Sequence, residues 1–569
     1  MGSDVLMAND FLPPLSEDML LKYNFFELYP FDGGGSFIHH KYIRCLNDFE
    51  AAENILHGAM IEFGSLPELD FGRFERWSTI EQSCWINRMY FLVPMAKYAA
   101  LKNDVNTAEM VCKILEHFAD NYPAPATVEE ASDHHKRVLW ERDNGYNAHG
   151  PEYDAPVEYI WFDFQVASRI IHISHALWFL RNSTVLTEER KTKFSELLRI
   201  HARTIYYVEK FCTKPAPGNH QALRALALLY ACEIFKDEPE SSQWLPVAME
   251  LCQYHILNDF LPDGMLNDLS PSYHFFECWI MRDMLTIAKR NGWDFSKEVY
   301  IRSTAAFGVC RMMRQPDGLS PVINDGYALD MAPFLLSVPE VSVSERNILP
   351  HSGFAIWNTA EEFLLFDCSP LMHKLAHFHA GKLAPTLFVN GKPFLVDGGT
   401  CNYDDPEFSL HYKRSAAHSS LTVDGHDDSV LQGRYTWLAA PEIKLENWQG
   451  STISASLKSN APGWENIIWQ RSISADDSQV VIQDTVTSPR EIDMVFQLML
   501  HHDVEVERSG KNLLLKNKDT ILEMTSTLPF SICGGQGFLN FKQVAQLRLV
   551  FNAKACGGTF QIQLKKVSI

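Results

Sequence analysis

Between positions 49 and 335 apolar residues recur at i, i+3 and i+4, and beyond about 345 the period becomes two. The helical pattern is carried by 49–62, 79–102, 105–121, 157–182, 187–209, 220–236, 241–260, 271–291 and 296–314. Asn103-Asp104, Pro215 to Gly218, Pro262-Asp263-Gly264 and Asn291-Gly292 punctuate it with turn and cap signals. Roughly nine or ten successive helices predict antiparallel hairpins, either closed into an α/α toroid or left as a bundle or open solenoid. No repeat of fixed length is visible, which speaks against ankyrin-like solenoids. Residues 123–156 read as a polar, irregular insertion that either rims a cleft or is merely solvated.

The second pattern consists of short β-branched or aromatic runs. They include Phe363 to Phe366, Thr386 to Val389, Phe394 to Val396, Ser420 to Val423, Val480 to Ile482 and Leu547 to Phe551. Asn390-Gly391, Asp424-Gly425 and Ser509-Gly510 supply the turns, so an antiparallel sandwich follows. The expectation is α+β in segregated domains: a helical domain over 1–340, with residues 1–48 as a lead-in, and a β-sandwich over 341–569. A chain of 569 residues is long enough for two cores.

Charge narrows the partners. The formal net charge of −21 leaves no global field to attract nucleic acid or an acidic membrane, so a polyanionic substrate needs local cations. No apolar run approaches the ~20 residues of a membrane span. The N-terminus lacks a basic region followed by an apolar one, so a cytoplasmic location is expected, or a periplasmic or secreted one for a trimmed or mature form. The twelve cysteines form no CxxC, and Cys84, Cys112 and Cys232 fall in apolar helical patterns as buried thiols. The run Gly33-Gly34-Gly35 has neither the strand nor the helix of a phosphate loop.

Three stretches carry candidate chemistry. Asn219 stands at the expected N-cap of an apolar helix with His220 next to it, where free N–H groups favour an anion; a plain cap is the alternative. Ser270-Pro271 starts another helix, whose first turn carries Tyr273 and His274 for packing or for chemistry. His377 and His379, two apart on an extended segment, share a side. With Asp397 and His418, His379 offers two imidazoles and a carboxylate to zinc or manganese, although strand histidines also serve as hydrogen-bonded surface residues.

The joint order of several motifs resembles the heparinase II/III-like polysaccharide lyases. These are Asn219-His220, Asp263-Gly264, Ser270-Pro271-Ser272-Tyr273-His274, Asn324-Asp325, His351-Ser352-Gly353-Phe354, His377-Phe378-His379, Asp397-Gly398-Gly399, Tyr403, Tyr412-Lys413-Arg414 and Ala417-His418. The chain departs from the family at Gly381-Lys382 and His418-Ser419, and only Asp268 stands for an acidic residue before the Tyr-His motif. The resemblance implies an incomplete α/α toroid followed by an antiparallel β-sandwich, and cleavage of uronic-acid polysaccharides by β-elimination. It implies Asn219 and His220 as carboxylate-neutralising groups, Tyr273 as catalytic acid or base, and His377 as its partner, supplied across the domain interface. Tyr412 is placed near the site, with Arg414 and His274 as further substrate-binding groups. His379, Asp397 and His418 are implied as ligands of a structural divalent metal.

Arg137, Arg142, Lys382 and Arg414 are the local cations that favour a glycosaminoglycan over alginate. The rivals are a toroid glycoside hydrolase using carboxylates such as Asp263, Asp268 and Asp325, and a non-catalytic carbohydrate-binding protein.

Overall fold

The helices form close to where the apolar period puts them. The computed structural model describes residues 12–30, 47–73, 85–144, 159–372, 377–403, 405–539 and 541–567, without the side chains of 141–144. It contains two compact units. One comprises Met1–Asp259 and Phe276–Ser303, the other Phe260–Phe275 and Thr304–Ile569.

In the first unit the helices alternate in character. Asp163–Phe179 is buried from Phe164 onward, and Asn219–Ile234 is buried along nearly its whole length. Glu188–Tyr207 instead buries a stripe of Phe194, Leu197, Leu198, His201, Ala202 and Ile205 and turns its charged residues outward. Asn219–Ile234 packs on both Asp163–Phe179 and Ser241–Asn258. Apolar inner helices flanked by amphipathic outer ones are what an α/α toroid requires.

Burial of the inner helices fixes their histidines as neutral rings. His172 Nδ1 donates to the Arg88 carbonyl at 2.9 Å and His175 Nδ1 to the Ile171 carbonyl at 2.8 Å. Burial pushes His172 down to about 3 and His175 to about 4, from an ordinary 6.5. His201 lies well below its ordinary value through burial and the neighbouring Arg169, whose Nε donates to its Nε2 at 2.7 Å.

One expected loop is helical. Within 123–156, Val128–Asn144 forms a helix whose inward face is Ala131, His135 and Val138. An apolar stripe so narrow, with a histidine at its centre, carries little periodic signal. Residues 145–158 lie outside the described residues.

The second unit is built from antiparallel sheets. A five-stranded meander runs Arg346–Leu349, Phe354–Asn358, Phe363–Asp367, Ala384–Val389 and Lys392–Leu395. A ten-stranded sheet centres on Gln479–Met499 and Lys542–Lys566, which pair from Gln479↔Lys565 to Met499↔Arg548 around a bulge between Thr487 and Ile492. Alternate residues such as Val480, Ile482 and Val486 enter one core with Leu364, Phe366, Leu387 and Trp469. Each such side chain stabilises the fold by about 1.5–3 kcal/mol on full burial.

Buried charge then ties loops to this core. Arg471 is wholly buried and grips Asp484 through Nε at 2.8 Å and Nη2 at 3.1 Å. Its Nη1 donates to the carbonyls of Leu383 and Ser419 at 2.9 and 2.7 Å. Those two carbonyls follow the loops that carry His379 and His418. The sheet therefore anchors the segments on which the candidate chemistry sits.

Candidate active site

In the second unit the organising group is Asp325, a fully buried carboxylate. His377 Nδ1 donates to its Oδ2 at 2.8 Å and His379 Nε2 to its Oδ1 at 2.7 Å. The Lys413 ammonium lies 3.4 Å from Oδ2, and the Thr400 hydroxyl donates to Oδ1 over the same distance. Burial alone would raise this carboxyl, but Lys413 and the two imidazoles hold it well below the usual carboxylate range. Lys413 is in turn pushed down by burial while Asp325 opposes the shift.

The loop bearing the histidines is fixed at nearly every residue. The Asp325 N–H donates to the His377 carbonyl at 3.1 Å and the His379 N–H to Asn324 Oδ1 at 3.1 Å. Gly381 and Lys382 donate their N–H groups to the buried Asp428 at 3.2 and 3.1 Å. Gly381 holds φ +85°, and a Cβ there would lie 3.0 Å from His418 Cβ and Ser415 Cα. Only glycine suits that position.

Tyr273 completes the group. It lies in the first turn of Pro271–Asn291, which starts directly after Ser270, and the Ser270 carbonyl accepts the His274 N–H at 2.9 Å. The Tyr273 ring stacks on His377 with centroids 3.8 Å apart and planes 21° apart, and its hydroxyl is hydrogen-bonded to that of Tyr403. Burial, with the Tyr273 phenol beside it, raises Tyr403 well above its ordinary value, so Tyr403 stays protonated. His377 is 22% exposed while His379 is buried, so the two histidines share Asp325 but differ in access.

In the first unit Gly218, at φ +145°, takes the N-cap position of Asn219–Ile234. Asn219 is therefore the first helical residue rather than the cap, because the glycine accommodates the backbone bend. The His220 side chain is 45% exposed; its Nδ1 is hydrogen-bonded to Asp163, which also pairs with Arg224. Arg224 in turn pairs with the buried Glu209, which accepts from Gln221 Nε2 at 2.6 Å.

Residues 66–341 match the family description "Heparinase II/III N-terminus" and residues 343–533 match "Heparinase II/III-like, C-terminal". The chain belongs to the heparinase II/III-like family. A curated relative, a heparin-sulfate lyase of Pedobacter heparinus, is 22% identical over 353 residues, spanning 56% of this chain and half the length of that relative. Among solved structures, a heparinase III gene product aligns at TM-score 0.66 and 16% identity, covering 91% of this chain and 84% of that one. A mutant heparan sulfate lyase from P. heparinus aligns at TM-score 0.62 and 15% identity, covering 99% and 93%. The heparinase fold, a helical toroid followed by an antiparallel β-sandwich, is thus the fold of this chain.

Set within that family fold, several expected site residues turn inward. His274 accepts the Leu266 N–H at Nδ1 (3.2 Å) and donates Nε2–H to the Ala306 carbonyl (3.1 Å), so both nitrogens serve structure and neither meets substrate. Tyr412 is buried with Cys401, Tyr403 and Phe408, and its hydroxyl donates to the Gly537 carbonyl at 3.4 Å. Lys382 is buried, donating to Asn324 Oδ1 and Asp367 Oδ2 at 2.9 Å each. These three are corrections to substrate contact, since polar residues beside a catalytic loop look alike in sequence whether they face the cleft or brace it. Arg414 is 48% exposed and paired with Asp427. Arg137 lies on the helix Val128–Asn144, and the side chain of Arg142 is outside the described residues.

The donors of the implied metal ligands differ in what they have free. His379 Nδ1 is buried and has no hydrogen-bond partner, while its Nε2 is held by Asp325. His418 Nε2 donates to the Tyr412 carbonyl at 2.9 Å, and its Nδ1 faces Asp397 Oδ2 at 2.7 Å. His379 thus keeps one buried ring nitrogen open, whereas both nitrogens of His418 are bonded, one of them to Asp397. Among the described residues His379, Asp397 and His418 do not bring one ligand atom each within 4.8 Å of one another, and an ion there would require the His418–Asp397 bond to open.

Proposed function

We propose that this chain is a polysaccharide lyase that cleaves uronic-acid glycosides by β-elimination, with a glycosaminoglycan such as heparan sulfate as substrate. The stack of Tyr273 on His377, with His377 Nδ1 held by Asp325, carries this reading. It leaves His377 Nε2 as the ring atom that can take or give a proton, next to a phenol that can do the same.

In such a reaction the C5 proton of the uronate is removed and the bond from C4 to the leaving oxygen breaks. The electron pair becomes the new C4–C5 double bond, and the leaving oxygen receives a proton. We assign the two proton transfers to Tyr273 and His377. The hydrogen bond between the Tyr273 and Tyr403 hydroxyls holds the Tyr273 oxygen in place for that transfer. Asn219 and His220 are assigned the uronate carboxylate, whose charge must be neutralised before C5 becomes acidic.

A zinc or manganese ion held by His379, Asp397 and His418 would brace the loop that carries His377. Its chemistry would be structural.

Glycoside hydrolysis needs two carboxylates flanking the bond. Here Asp325 is occupied by two imidazoles and an ammonium, and Asp263 Oδ2 accepts the N–H groups of His351 and Ser352 at 2.8 Å each. The test is digestion of heparan sulfate, hyaluronate, chondroitin sulfate and alginate, followed by ultraviolet absorbance. An unsaturated product from the wild type that disappears in a folded Tyr273→Phe variant supports the reading. Cleavage with solvent incorporation and no absorbance overturns it.

A further inference from the structure

Among the described phenylalanines and tryptophans of the helical unit Phe211 is the exposed one, although aliphatic residues such as Ile61 and Val105 are exposed too. The stripe buried by Glu188–Tyr207 continues through Ile205 to Val208, so regular α-helical spacing would carry it on to Phe211 or Cys212. Instead the chain widens into a π-helical turn, Val208–Cys212, closed by the Thr213 N–H donating to the Val208 carbonyl at 3.0 Å. The added residue rotates the stripe. Val208 and Glu209 face inward, and Phe211 is left 58% exposed, with Tyr206 edge-on to it at 6.1 Å between ring centroids. Exposing a phenylalanine forfeits apolar burial, and π-turns of this kind recur at functional sites.

The turn is fastened to the helix start that bears Asn219 and His220. Thr213 Oγ1 and Gln221 Nε2 donate to Glu209 Oε2 at 2.7 and 2.6 Å, and the Ala216 N–H donates to Gln221 Oε1 at 2.9 Å. The aromatic face and the candidate carboxylate-binding residues are therefore held by one network. Charge adds a second, independent observation. On the preceding helix Arg190, Arg199 and Arg203 are all committed to glutamates. Lys210 and Lys214, which flank Phe211, are exposed and enter no ion pair among the described residues. In a chain of net charge −21 this is a local cationic patch around an aromatic face.

We propose that the turn Val208–Cys212 is a sugar-binding subsite for an acidic polysaccharide. The Phe211 ring stacks under the apolar face of one pyranose, while Lys210 and Lys214 meet its carboxylate or sulfate groups. The subsite deepens the lyase reading and rests on it for the identity of the polymer, yet binding and cleavage are separable by measurement.

The experiment is affinity electrophoresis of the full chain through gels containing heparan sulfate or its desulfated form, alongside steady-state kinetics on both. Phe211→Ala is expected to weaken retardation and raise KM about tenfold, as expected for losing one partly buried aromatic contact, with a smaller effect on kcat. Phe211→Trp should restore retardation, and Lys210→Ala with Lys214→Ala should lose it mainly in the sulfated gel. Retardation and KM within twofold of wild type for Phe211→Ala overturn the subsite. A wild type that is retarded but forms no unsaturated product overturns the lyase reading and leaves the subsite standing. Circular dichroism of each variant, with Phe211→Trp as the rescue, separates loss of the platform from loss of the fold.

Discussion

Asp325→Asn is the most informative single change, because it keeps the shape of the side chain and removes only its charge and its symmetry as an acceptor. The carboxylate accepts on both oxygens, from His377 at 2.8 Å and His379 at 2.7 Å. An amide offers one acceptor and one donor. If its carbonyl stays with His377, His379 must move its proton to Nδ1, a buried atom with no partner. If the carbonyl turns to His379, His377 must hold its proton on Nε2 and no longer presents a base. The Lys413 ammonium, 3.4 Å from Oδ2 and itself buried, loses its counter-charge. At an effective dielectric of ~20 that attraction is about 5 kcal/mol, and breaking a buried pair costs about 3–5 kcal/mol net. A domain of this size shifts by roughly 2–4 °C per kcal/mol, so calorimetry should show the transition of the β-rich unit lowered by about 10 °C. The initial rate of absorbance rise at saturating heparan sulfate should fall between about 10² and 10⁴-fold, the range lost when a carboxylate that orients a catalytic histidine becomes an amide. Because the Asp325 carboxyl lies well below the ordinary carboxylate range, its contribution is present above its unfolded value of 3.8 and is lost only as pH falls through the still lower folded value. The stability difference between variant and wild type should accordingly stay flat from about pH 5 to pH 8. A variant with kcat within threefold of wild type and an unshifted transition would refute Asp325 as the organising group.

His379→Ala should lower bound zinc or manganese, measured by elemental analysis, and the unfolding temperature together; full metal stoichiometry would remove His379 from the ligand set. Gly381→Ala should destabilise by about 1–3 kcal/mol through its φ of +85° and the approach to His418, whereas Gly391→Ala, at φ +71° with nothing within 4 Å, should cost only about 1 kcal/mol of backbone strain. Equal losses in chemical denaturation would contradict the packing argument. In the helical unit His172 and His175 have folded values of about 3 and 4, below 6.5 unfolded, so their stability contribution is intact above about pH 6.5 and lost as pH falls toward 4. The unfolded chain then binds about two more protons, a slope near 2.7 kcal/mol per pH unit, and an acid limb unchanged in His172→Gln would show that this ring does not contribute.

Much of the architecture is legible because it depends on local chemistry. The apolar period locates the inner helices, Ser270-Pro271 starts the helix that bears Tyr273, and Asn390-Gly391 turns a hairpin with φ positive at both residues. His377 and His379 are legible as a pair pointing to one side of an extended segment, though not as sharing a partner. That the partner is Asp325 is not, since Asn324-Asp325 is a short polar step in a loop and acquires its role only when Lys413, Thr400 and both imidazoles close around it. The same limit explains the inward turn of His274, Tyr412 and Lys382. A polar side chain near a site carries no sign in sequence that says whether it faces substrate or satisfies a buried backbone group. The helix Val128–Asn144 is missed for another reason, a buried face of only Ala131, His135 and Val138.

The residues that brace the histidine loop are charged and buried, although an apolar loop anchor would avoid their desolvation cost. Asp428 receives two backbone N–H groups, Arg471 holds two carbonyls while gripping Asp484, and Lys382 joins Asn324 to Asp367. Hydrophobic contact is non-directional and tolerates sliding, whereas each of these bonds fixes a particular backbone atom. On the proposed reading, a stacked imidazole and phenol that exchange protons with substrate lose function with misplacement of about an ångström. The buried network therefore trades stability that an apolar core would supply for position, and that exchange is reasonable only if His377 and Tyr273 must be held ready before substrate arrives.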